Sequence, residues 1–134
     1  MKPQFINTSG KRKTAVARAV TSKGAGRVYI NKIPLEIVQP EIARLKMMEP
    51  IYLAKDLANG VDIHVEVKGG GTIGQSDAVR TAVARGLVEF YKDDKLKEVY
   101  KTYDRNLLVN DTRRKEPKHE QGRGARKRRQ KSYR

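Results

Sequence analysis

Cations are the one kind of chemically active side chain that this sequence has in abundance: 30 Lys and Arg stand against 15 Asp and Glu, with no Cys and only two His in 134 residues. The chemistry they suggest is the holding of phosphate, by charge and, for Arg, by a planar fork of N–H donors. Two stretches concentrate them. Lys11, Arg12 and Lys13 follow Ser9 and Gly10, with Arg18 shortly after. This Gly-Lys pair is no nucleotide-binding P-loop, because Phe5 stands where the first Gly is needed and Arg12 where Ser or Thr is needed. The other stretch, 111–134, carries Arg113, Arg114, Lys115, Lys118, Arg123, Arg126, Lys127, Arg128, Arg129, Lys131 and Arg134 against three acids. Seven of its eleven cations are Arg, and Gly122 and Gly124 let the chain bend inside an RNA groove.

A third candidate is uncharged. Gly69, Gly70, Gly71 and Gly74 lead toward Ser76 and Asp77, which read as a helix N-cap. Free backbone N–H groups there suit a phosphate, yet a plain strand-to-helix turn fits the same residues, and both readings stand. In either case the glycines let another backbone approach closely. Catalytic groups are scarce. His64 lies mid-strand with Asp62 and Glu66 two residues to either side, the setting of a surface histidine, and His119 lies among tail residues that would not fix its geometry. Without Cys there is no disulfide and no thiolate metal site, so neither a metal nor a cofactor is expected, and the acids form no pair that would make an enzyme.

The charge is segregated. Residues 1–34 hold eight cations and no acid, 35–110 hold eleven cations and twelve acids, and 111–134 hold eleven and three. A near-neutral body with basic ends, a net charge of +15 and a pI near 10.2 call for a densely anionic partner. Nucleic acid leads, with an anionic membrane surface a distant second. No apolar run approaches a signal-peptide core or a membrane span, so a cytoplasmic protein with no membrane partner is expected.

The elements that must hold these residues follow from periodicity. Val61, Ile63, Val65 and Val67 alternate with Asp62, His64, Glu66 and Lys68, a strand with one buried face. Residues 14–21 and 27–31 are rich in strand formers and are joined by a short Gly-containing link, which predicts an antiparallel pair. Pro40 and Glu41 start a helix expected to run to about Met48, and Pro50 separates it from a second over 51–58. Beyond the glycines, Val79, Val83, Leu87 and Phe90 make the apolar stripe of a helix over 78–92. Residues 94–103 continue at helical spacing through Leu96, Val99, Tyr100 and Tyr103, and Leu107, Leu108 and Val109 read as a short closing strand. The class is α+β, with helices on one side of a small mixed sheet. Residues 1–110 form the globular domain. In 111–134 only Ala125 and Tyr133 are apolar, too little to offset the entropy of ordering, so this tail is expected to be disordered when free. Fully extended it would reach about 80 Å.

Three segments together resemble the ribosomal protein S-nine family in its archaeal and eukaryotic form: Ser9 to Arg18; Val67 to Ala78 continuing to Leu87; and the tail from Arg113 to Arg134. They cover nearly the whole chain in family order. The resemblance implies the ribosomal protein S5 domain 2-like fold, a four-stranded mixed sheet backed by helices, and a non-catalytic role in the head of the small ribosomal subunit beside other ribosomal proteins. It implies that ribosomal RNA is held by Lys11, Arg12, Lys13, Arg18 and the tail cations from Arg113 to Arg129. It also implies that Lys131, Tyr133 and Arg134 meet the anticodon stem-loop of peptidyl-site transfer RNA, with Tyr133 offering a ring where bacterial members offer a Lys. Two other functions compete: a general basic nucleic-acid-binding protein, and a phosphate-binding enzyme of the small-molecule kinase type, whose fold is related but for which no base is present and no small-molecule substrate is expected.

Overall fold

The computed structural model describes residues 4–134. Five strands, β1 (Phe5–Arg12), β2 (Ala15–Lys23), β3 (Val28–Ile30), β4 (Ile33–Pro34) and β5 (Val61–Lys68), form one sheet in the order β1-β2-β5-β3-β4. Three helices, α1 (Glu41–Ala54), α2 (Thr72–Tyr91) and α3 (Asp94–Tyr103), complete the α+β architecture that the sequence predicts. The fifth strand beyond the expected four is the two-residue β4. The alternation in β5 is as expected: Val61, Ile63, Val65 and Val67 are buried, while His64, Glu66 and Lys68 face solvent.

Helix and sheet meet through small residues. Ala15, Ala17 and Ala19 of β2 and Gly10 of β1 lie under Ala78, Ala82 and Gly86 of α2, and a Cβ on Gly10 would come within 2.1 Å of the Ala78 carbonyl oxygen. With no bulk between the layers α2 sits close, so Val79, Val83 and Leu87 are almost fully buried, each contributing roughly 1.5–3 kcal/mol. Thr8 supports the contact by donating its hydroxyl to the Ala82 carbonyl at 2.9 Å.

The strand pairing corrects the expected antiparallel pair of β2 and β3. β5 lies between them, antiparallel to β2 and parallel to β3. Asp62 fits this order: its carboxylate accepts from the Ala25 and Arg27 amides at 2.9 Å and holds the link between β2 and β3 across the end of β5. Those two bonds hold the carboxyl below its ordinary range. The partner of β2 on its other edge is β1, a strand that the sequence does not advertise. Its hairpin turns at Lys13, with φ of +54°, where no Asn or Gly marks a tight turn.

Three further expectations change. Pro50 does not divide the region before β5: α1 runs through it to Ala54, and only a 3-10 turn over Lys55–Gly60 follows. The Pro50 carbonyl gains a second reason to stay in place, because the buried Tyr100 hydroxyl donates to it at 2.7 Å. α2 begins at Thr72 after Gly71, without a side-chain cap, so Ser76 and Asp77 lie inside the helix and are not its cap. The expected strand at 107–109 is a 3-10 turn, Arg105–Leu107, that the Asp104 carboxylate caps by accepting from the Asn106 amide at 2.9 Å. One turn suffices to bury Leu107. α3 covers the expected residues, although only Leu96 and Tyr100 of its four apolar positions are buried.

Candidate nucleic-acid interface

The end of the β1–β2 hairpin, the start of α2 and the root of the tail converge. Asp111 forms a parallel bridge with Arg12, and the Lys11 amide donates to the Asn110 side chain at 3.2 Å. Around this junction a cleft of about 240 Å³ is lined by Lys11, Arg12, Lys46, Arg80 and Arg113 together with Asp77 and Asp111. Arg12 is largely committed inside the protein. Its guanidinium pairs with Asp111 and reaches Asp77 at 3.8 Å, and Lys46 meets Asp77 at 3.1 Å. Arg113 grips Asp111 from the other side through Nε and Nη2, at 3.0 and 2.7 Å. That bidentate bond, then the Arg113 amide, and to a smaller degree the charge of Arg12 hold the Asp111 carboxyl down to about 2.

Lys11 and Lys13 are exposed and have no carboxylate within 4.0 Å among the described residues. Beside Lys13 opens the glycine run. Gly69 and Gly70 take positive φ, +79° and +67°, and their backbone passes close to the chain's own hairpin: a Cβ on Gly69 would fall 2.5 Å from the Thr14 carbonyl oxygen. A Cβ added at Gly71 would meet nothing within 4 Å, and one at Gly74 would make only ordinary contacts with Arg12 and Ala15. The uncapped start of α2 thus opens into a shallow recess lined by Arg12, Lys13 and Gly70–Gly74, where the helix dipole and the exposed Lys13 favour an anion.

Arg18 is not part of this end. It stands on β2, on the sheet face that no helix covers, as does His64. The His64 ring stacks on Tyr29 with centroids 5.1 Å apart and planes 10° from parallel, which suits a surface histidine. No group of metal-ligating side chains occurs among the described residues.

Two functionally placed cations are invisible to sequence reasoning. Arg80 pairs with Glu49 at 2.6 Å and Asp104 at 3.0 Å, joining α1, α2 and the end of α3. Arg85 donates to the Leu108 carbonyl at 2.9 Å and to the Ser9 carbonyl at 2.8 Å, tying the segment that leads into the tail to β1. Their one signal is position, cations on the flank of an otherwise small and apolar helix.

The tail forms neither helix nor strand after Asp111. Arg114, Lys115, Lys118, Arg123, Lys127, Arg128, Lys131, Tyr133 and Arg134 are exposed, Tyr133 at 90%. Arg126 pairs with Glu116 at 2.7 Å and Arg129 reaches Glu120 at 3.8 Å, exposed contacts that solvent screens and that hold the tail only weakly. Such pairs exchange readily for phosphate. Lys131, Tyr133 and Arg134 are not brought to the body.

No helix is long and apolar enough to cross a membrane among the described residues. A family described as ribosomal protein S9/S16 matches residues 10–134. The chain is 57% identical over 131 residues to the small ribosomal subunit protein uS9 of Methanothrix thermoacetophila, covering 98% of this chain and 99% of that one. It is 60% identical to the protein of the same name from Halobacterium salinarum, over 96% of this chain and 98% of the relative. With the Thermoplasma volcanium protein, also named small ribosomal subunit protein uS9, the identity is 55% over 97% of this chain and 98% of that one. A helix-backed mixed sheet with cations gathered at the hairpin end and along the tail, matched over nearly its full length by these relatives, belongs to a structural, non-enzymatic protein: the chain is a member of the ribosomal protein S9/S16 family.

Proposed function

We propose that this chain is a structural part of the small ribosomal subunit in the cytoplasm, seated in the subunit head among other ribosomal proteins. Its body rests on ribosomal RNA through Lys11, Lys13 and Arg18, with Arg12 helping at the hairpin end. Its tail lies along RNA through Arg113, Arg114, Lys115, Lys118, Arg123, Arg126, Lys127, Arg128 and Arg129. Lys131, Tyr133 and Arg134 meet the anticodon stem-loop of the peptidyl-site transfer RNA, the cations at its phosphates and the ring by stacking.

The observation that carries this reading is a basic tail without helix or strand, fastened to the body at Asp111 and exposed beyond it. A chain with so little apolar surface stays disordered until a polyanion orders it, and each phosphate it neutralises releases counterions. The test is deletion of Lys131–Arg134. Subunit assembly stays nearly intact and transfer RNA in the peptidyl site is released faster; unchanged retention removes the role assigned to these residues.

A further inference from the structure

The helices cover one face of the sheet, and the other face carries a row of side chains in cross-strand register: Asn7 on β1, Val20 on β2, His64 on β5 and Tyr29 on β3. Tyr29 stacks on the side of His64 toward β3, as the strand order requires. On the side toward β2 lies an open groove of about 600 Å³ lined by Asn7, Ser9, Arg18, Val20, His64 and Glu66. The imidazole is therefore backed by one ring and bare on the other side, above Val20, which is 38% exposed. A flat aromatic group entering here would extend the existing stack by one layer.

We propose that this groove takes one unpaired nucleobase of ribosomal RNA, stacked on His64 over Val20, with the Asn7 amide at the base edge and Arg18 at a neighbouring phosphate. The site deepens the ribosomal reading and rests on it. Charge favours a nucleotide over an aromatic side chain of a protein. Arg18 lies opposite Glu66 in register, yet no carboxylate comes within 4.0 Å of it among the described residues. Lys11 and Lys68 flank Val16 in the row nearest the hairpin turn, on the same face. An exposed guanidinium beside a half-built stack is the usual provision for single-stranded RNA, where stacking needs no particular base.

The test uses the full-length chain and the small-subunit ribosomal RNA of its own organism. In wild type, one single-stranded base becomes protected from base-specific chemical modification when the protein binds. His64→Ala lifts that protection and weakens binding about tenfold, whereas His64→Phe restores both. Arg18→Ala weakens binding and lowers the salt slope by about one unit. Thermal melting of each variant separates these losses from misfolding. An unchanged footprint in His64→Ala overturns the proposal, as does a photoreactive group at His64 that crosslinks to a protein in the assembled subunit. A chain that enters the small subunit with no protected base sinks the groove alone; a chain that never enters it sinks the ribosomal reading.

Discussion

Asp111 shows how one side chain joins the two halves of this protein. Its carboxylate is held at once by Arg12 of the body and Arg113 of the tail, so it is both the last residue paired with the sheet and the first of the tail. Protonation would loosen both pairings. Its folded value of about 2 lies below the ordinary 3.8, so the contribution is fully present above 3.8 and fades as pH falls through about 2. In an acid titration followed by NMR, the Arg113 side-chain signal moves with a midpoint near 2, and Asp111→Asn removes the transition. A midpoint at the ordinary value of 3.8 would show that the pairing does not persist in solution. Arg12 illustrates what sequence shows and what it hides. That it is a cation in a basic cluster is plain from its neighbours, but its two carboxylate partners lie 65 and 99 residues away in sequence and only the fold brings them near.

Elements with a local cause were readable. β5 follows from strict alternation, and α3 from helical spacing, because both patterns lie within a dozen residues. Features decided by distant partners were not. Nothing near β3 announces that β5 will take its edge, and nothing in β1 announces its place under α2, since the Gly10 that permits it meets Ala78 across the core. Pro50 misled for a related reason: the expected break comes from a local rule, and packing in a finished helix overrode it. The glycine run tests the same distinction. Gly69→Ala forces a side chain into positive φ and against the Thr14 carbonyl, so it destabilises by about 2 kcal/mol or more. Gly71→Ala, with φ of −93° and open space around it, stays within about 0.5 kcal/mol of wild type. Equal melting temperatures for the two variants would refute this account of the loop.

At the scale of the whole molecule, the apolar core and the densest run of cations lie in different parts. Among the described residues, the 22 of the core cluster all lie between Ala15 and Leu107, and the tail adds none. Deleting residues 112–134 therefore leaves the melting temperature nearly unchanged while removing all eleven tail cations. The slope of log binding constant against log salt for ribosomal RNA becomes shallower by several units, at about 0.7–0.9 for each phosphate that the shortened chain no longer neutralises. A slope that survives the deletion would place the electrostatic grip on the body.

The bridge at Arg12 and Asp111 gives this leash a fixed mooring post. Because the post belongs to the sheet, the far end can reach no farther than a sphere whose centre is set by β1 and whose radius is bounded by residue count. Residues inserted just past the mooring would lengthen the radius and leave the centre where it is. The same residues inserted before Asn110 would cut the mooring itself.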